Sequence, residues 1–160
     1  MPRYVHEGNT KAAWCTAIAD IAEPTVTELN AGVDISTYLT IDGLKPSQNQ
    51  NMVDSKALTD TFDAQVVGSW GGEFGVMFFR DDDEDDAWEL CVYGTNGFLV
   101  VRRAMPWDTA WTASQKVEVY PAQMHQPIPG ETAGNAQDRF TEKFGITRTP
   151  DLKAVVAAAA

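Results

Sequence analysis

The chain predicts a mainly β protein, an antiparallel sandwich or barrel with one or two short flanking α-helices. Three observations lead there. From Phe62 to Phe78 every even-numbered position is apolar or glycine, while the odd positions begin Asp63, Gln65, Val67, Ser69, Gly71 and Glu73. That period of two marks an extended strand with one greasy face and one wetter face. Several shorter apolar runs follow, separated by proline and glycine punctuation. Long helical patterns are absent, so alternating βαβ units are not supported.

No proline interrupts Phe62–Phe78, so the run can lie inside a sheet. At about 3.3 Å per residue it would extend well over 50 Å, where ordinary strands reach about 20 Å. The strand must therefore either bend at Gly71-Gly72 or project beyond its own domain to pair with something else.

The other elements follow in order. Residues 1–10 are polar and lack a period, which fits a free or docking arm. Residues 11–150 read as the β domain. Lys11–Ile18 has strand character around Trp14. Pro24–Gly32 reads as one or two helical turns closed by Asn30 and Gly32. Tyr38–Ile41 is a short strand ending at the turn dipeptide Asp42-Gly43. Leu44–Thr61 carries Pro46, Gln48, Asn49, Gln50 and Asn51 and has little to bury, so it predicts a long loop or an excursion hairpin.

Asp81–Asp86 leading into Ala87–Cys91 suits a short helix whose N-terminus carboxylates would cap. Gly94 and Gly97 sit in a turn, Phe98–Val101 is a strand buried on both faces, and Arg102-Arg103 ends it. Pro106–Thr112 is a loop with Trp107 and Trp111. Lys116–Tyr120 alternates, Pro127, Pro129 and Gly130 mark another loop, and Arg139–Arg148 is a strand that Pro150 stops. Residues 151–160 read as a flexible alanine-rich tail. The total is about six strands.

With 160 residues and 44% hydrophobic content, one cored domain is expected. Seven of the 23 acids lie in Asp81–Asp86 and Glu89; the remainder is 16 acids against 12 bases. The net charge of −11 is thus partly one local patch, and it argues against holding nucleic acid by phosphate neutralisation. Cys15 and Cys91 are far apart in apolar surroundings and read as reduced, buried thiols, with a single disulfide as the alternative. Met1–Glu7 has no apolar signal-peptide core, and Ala154–Ala160 is too short to span a bilayer.

Candidate chemistry is sparse. The acidic run lacks the alternate ligands and sixth-position glycine of an EF-hand loop, so a solvated charge patch is favoured over a metal site. His6 and His125 have no partners at metal or triad spacing, and neither a nucleophile elbow nor a phosphate loop is present. No enzyme and no cofactor are expected. Trp107 and Trp111 could form a sugar-stacking platform with Tyr120, but core or interface packing is favoured.

Four phrases together resemble a known family: Arg3-Tyr-Val-His-Glu-Gly-Asn-Thr10, Phe62-Asp-Ala-Gln-Val-Val-Gly-Ser-Trp-Gly-Gly72, Val92-Tyr-Gly-Thr-Asn-Gly-Phe-Leu-Val-Val-Arg-Arg103 and Lys116-Val-Glu-Val-Tyr-Pro-Ala-Gln-Met-His-Gln-Pro127. They resemble the major tail protein (tail tube protein) of long-tailed phages, particularly phages of actinobacteria. The resemblance implies a β-sandwich of the tail tube type that forms stacked hexameric rings around a channel for DNA. It implies a place in the virion tail, assembly in the host cytoplasm, and no membrane. Implied partners are other copies of the chain, the tape measure protein, the tail terminator and the distal tail or baseplate proteins. DNA would pass without specific binding.

On that basis Phe62–Phe78 becomes the lumen strand. Its even face would pack on the core, and Asp63, Gln65, Ser69 and Glu73 would line the channel as an acidic wall that repels DNA. Arg3, Tyr4, Val5 and His6 in the arm, and Gln48, Asn49, Gln50 and Asn51 in the excursion, are the inter-subunit or inter-ring candidates. The alternatives are a monomeric carbohydrate-binding β-sandwich using Trp107 and Trp111, and a tail-completion or tube-terminator protein that forms one ring without stacking.

Overall fold

Alternation decides which way each strand faces, and a computed structural model, which describes residues 1–158, shows the result. The described elements are β1 (Thr10–Cys15), α1 (Val26–Ala31), β2 (Val33–Asp34), β3 (Leu39–Asp54), β4 (Gln65–Phe79), α2 (Asp86–Leu90), β5 (Asn96–Arg103), β6 (Lys116–Met124), β7 (Ile128–Pro129), β8 (Arg139–Ile146) and β9 (Asp151–Val155). The main sheet runs β2-β1-β5-β6-β8-β4-β3, with β7 on β8 and β9 on β6. All of these pairings are antiparallel.

β6 is the pivot. One edge pairs with β5; the other is shared, with β8 at Ala122–Met124 and β9 at Lys116–Val119. The β8-β4 wing folds back over β1 and β5 and closes an aromatic core. Trp14 stacks on Phe144 with centroids 5.0 Å apart, and Phe74 meets Tyr120 edge-on at 5.0 Å. Ile35–Tyr38 bridges the remaining gap: Ile35 N–H donates to the Ala12 carbonyl, and Phe79 N–H donates to that of Tyr38. The result is a sandwich with a barrel-like seam.

A second apolar cluster lies on the opposite face of β1, β5 and β6. Ala13, Val100, Val117 and Val119 pack there under Leu29 of α1, Ala154 of β9, Val156 and Trp111. β5 is therefore buried on both faces, as its continuous apolar run predicts. Gly97 fits this crowding, because a Cβ there would come within 2.5 Å of the Trp14 ring. α1 is closed by a capping box in which Thr25 Oγ1 accepts from Glu28 N–H and the Glu28 carboxylate accepts from Thr25 N–H.

Several expectations need correction. The strand starts at Gln65, not Phe62, and Phe62 is 79% exposed. Pairing with β3 passes through Gly71-Gly72 without a register shift, and the strand runs on past Glu73, its last β8 partner. Of the two readings of Leu44–Thr61 the excursion hairpin stands, with Leu44–Asp54 as its β3 arm, whereas Asp42-Gly43 is no turn but lies in a bulge inside β3. Residues 151–155 are not a flexible tail: they form β9, with Ala154 buried, because β6 offers an open edge there. Residues 159–160 lie outside the described residues. β5 ends at Arg102-Arg103 as read, with Arg102 fully buried. Asp85 at the α2 N-cap makes no side-chain capping bond, since its carboxylate turns to Arg80 Nε at 2.8 Å.

Candidate assembly surface

Inside the sandwich β4 has two neighbours, β8 at Glu73–Phe79 and β3. Beyond Glu73 only β3 remains, and the hairpin leaves the domain with both faces bare. Gln50, Asn51, Ser69 and Gly68 hold its shape. Gln50 Nε2 donates to the Gly68 and Ser69 carbonyls at 3.0 and 3.3 Å, and Asn51 Nδ2 donates to Ser69 Oγ at 2.9 Å. Gly72 is required by close approach, because a Cβ would sit 2.6 Å from the Ser47 carbonyl oxygen. The outer edge of β3 pairs with no strand among the described residues.

A protein that kept this hairpin in water would blunt it with charge. Instead Met52, Val53, Leu58, Phe62, Val66, Val67 and Trp70 are all exposed. Such a run of apolar side chains on a projecting strand pair marks an interaction surface. The side chains of Gln48 and Asn49 make no hydrogen bond among the described residues, so the β3 edge also offers free amides beside its free backbone groups.

The four lumen candidates do not share one face. Glu73 points away from the core, since Phe74, Val76 and Phe78 point into it, and its carboxylate accepts from Lys143 Nζ at 3.2 Å. Opposite Gly75 on the same face stand Lys45 and Lys143. Ser69 sits in the bulge, where the pairing steps from Gln50↔Trp70 to Met52↔Val67. That extra residue on β4 flips the alternation and puts Gln65, opposite Asp54, on the Trp70 face. Asp63 lies outside the strand and pairs with Lys56 Nζ at 2.7 Å. An unbroken acidic wall does not arise from these residues.

Arg3, Tyr4, Val5 and His6 are exposed, with the Tyr4 ring edge-on to His6 at 5.5 Å. The arm is tied down at its end, where Gly8 O accepts from Trp107 N–H and Asn9 O from Met105 N–H. It runs beside Leu39–Leu44 at the root of β3.

The proposed sugar platform is absent. Trp111 is buried, with the Arg102 guanidinium 5.0 Å and Lys11 Nζ 4.9 Å from its ring centroid. Tyr120 is buried in the other cluster and donates to Glu118. Only Trp107 is exposed.

Sequence reasoning missed two buried polar residues. Arg102 donates to the carbonyls of Pro106 and Ala110 and to Gln115 Oε1, pinning the loop after β5. Glu142, at an inward position between Phe140 and Phe144, is fully buried with Oε2 unpartnered. Burial pushes its carboxyl up to about 7, against the opposing bond from Lys143 N–H. Strand parity alone would have flagged Glu142 as inward. Cys15 and Cys91 are free, buried thiols; burial, reinforced by Glu28 and Glu142 respectively, raises them to about 11 and about 12. Among the described residues no cluster of His, Cys, Asp and Glu is placed to hold a metal, and no helix is long and apolar enough to cross a membrane.

The profile of the phage tail tube protein family matches residues 1–159. The chain belongs to that family and is a structural component of the phage tail. No curated protein matches it. Among solved structures, a chain of the anti-feeding prophage (AFP) baseplate, determined by cryo-electron microscopy and 6-fold symmetrised, shares the fold. The TM-score is 0.55 at 8% sequence identity, over 100% of this chain and 99% of that one.

Proposed function

We propose that this protein assembles into hexameric rings that stack as a hollow tail tube, through which genomic DNA reaches the host. The observation that carries the reading is the β3–β4 hairpin, which leaves the domain with exposed apolar side chains on a free sheet edge. Pairing such edges between subunits into a closed barrel removes them from water. The AFP baseplate chain, whose structure is 6-fold symmetrised, supports a sixfold ring for this fold.

In this reading the face of β3, β4 and β8 that carries Ser47, Glu73 and Lys143 lines the channel. On this face Glu73 neutralises Lys143, while Lys45 and Arg139 stand on the same side of the strands. Arg3–His6 and Gln48–Asn51 contact neighbouring subunits or rings. Assembly takes place in the host cytoplasm with the tape measure, terminator and distal tail proteins as partners.

Negative-stain electron microscopy of purified protein across a concentration series tests the proposal. Stacked rings with a central hole are expected. Single rings that never stack would move the protein to a tube-terminator role, and a monomer at every concentration would refute self-assembly. Deleting residues 2–9 should leave a folded monomer that polymerises poorly; normal tubes from that variant would remove the arm from the interface.

A further inference from the structure

The hairpin has a second apolar feature at its base. Trp70, Ile146, Pro150 and Leu152 line a groove of about 240 Å³ beside Pro46 and Tyr120, where β4 leaves β8. Arg148 lies on its rim, without an ion pair among the described residues and 5.8 Å from the Phe98 ring centroid, and Glu73, which also lines the groove, is neutralised by Lys143. The nearby carboxylate of Asp151 accepts the Lys153 backbone N–H at 2.8 Å.

The hairpin tip is the complementary object. Leu58 and Phe62 are 104% and 79% exposed. Asp54, Asp60 and Asp63 surround them with one cation, Lys56, which Asp63 already occupies. The tip thus carries surplus negative charge and two apolar knobs, while the groove offers an apolar floor with the Arg148 cation on its rim. A chain of net charge −11 has few such places. At the other end of β4, the exposed carboxylates of Asp81–Glu84 would repel an acidic tip.

The tip cannot fill its own groove. Gln65–Gly72 continue β4 past its last β8 partner, Glu73, for about 26 Å of extended chain. We propose that the tip of one copy seats in the groove at the hairpin base of the next. Leu58 and Phe62 lie against Trp70, Ile146, Pro150 and Leu152, and Asp54 and Asp60 face Arg148. Tip and groove are different surfaces, so the contact is head-to-tail and propagates around a ring or along a stack. The proposal rests on the tube reading, because it requires copies of this chain to assemble.

The test combines crosslinking with charge reversal. Thr61→Cys, beside the tip, and Thr149→Cys, on the groove rim, both change exposed side chains outside the apolar contact, and the native Cys15 and Cys91 are buried. Oxidation of assembled double variant should give a ladder of covalent oligomers on a non-reducing gel, and an equimolar mixture of the single variants should stop at dimers. Arg148→Glu should raise the concentration needed for assembly about tenfold. Asp54→Lys with Asp60→Lys should restore it. Tubes that form at the wild-type concentration with Arg148, Asp54 and Asp60 altered separately, and without a ladder, would overturn the tip-in-groove contact alone. Wild-type protein that never assembles would instead overturn the tube reading and this contact with it.

Discussion

β5 and the outer half of β4 are both regular antiparallel strands, yet different things hold them. β5 has a strand on each side, β1 and β6, and buried side chains on both faces, with Leu99, Val100 and Val101 sealed from water. The outer half of β4 has one neighbour and no covering layer, with Val66, Val67 and Trp70 in solvent. Folding of the monomer accounts for the first strand; nothing in the monomer accounts for the greasy surface of the second. The domain is therefore complete around β5 and incomplete at the hairpin. Mutations should separate the two regions, with stability following the sandwich and assembly following the hairpin.

The largest expected contrast is between two phenylalanines. Phe144→Ala removes a buried ring stacked on Trp14 and should cost about 3–5 kcal/mol in denaturant unfolding. Phe62→Ala should leave monomer stability within about 0.5 kcal/mol while impairing polymerisation. Equal effects on unfolding would break the comparison. Next comes Arg102→Ala, which orphans the Pro106 carbonyl and Gln115 Oε1 and opens Trp111 to water. A loss of about 2–4 kcal/mol and a red-shifted tryptophan emission are expected.

Glu142 sharpens the comparison through pH. Its carboxyl is raised from an ordinary 4.5 to about 7 by burial, so the folded state holds a proton that the unfolded chain has released. That contribution is fully present below about pH 4.5 and is lost as pH rises through about 7. Relative to Glu142→Gln, the wild-type protein should lose roughly 2 kcal/mol across this window in unfolding titrations at stepped pH. Parallel curves for the two proteins would mean that the side chain finds water. Smallest of all, Glu73→Gln breaks a half-exposed pair with Lys143 and should change stability by less than about 1 kcal/mol.

Much of the sandwich is legible in the sequence because burial writes itself into side chains. Phe74, Val76 and Phe78 announce the inward face of β4, and Phe98–Val101 announces a strand covered on both sides. β3 is harder to read. Gln48, Asn49, Gln50 and Asn51 form a strand because their backbones pair with β4, and backbone pairing needs no apolar residue. β9 is equally quiet, since Ala154 and Val156 fill small gaps and their pattern is too short to register. The assembly surface was only half visible. The period of two located β4, but the bulge at Gly68-Ser69 reverses its parity, and so Gln65 and Glu73 do not share the face that simple alternation assigned them.

Amide hydrogen exchange over residues 46–72, measured on the monomer and on the assembled polymer, tests the central claim most directly. The β3 edge amides of the free chain have no strand partner and should exchange quickly, while β5 stays protected in both states. On assembly, protection should rise chiefly in this hairpin. A polymer whose hairpin exchanges as fast as the monomer's, while another surface becomes protected, would contradict the account.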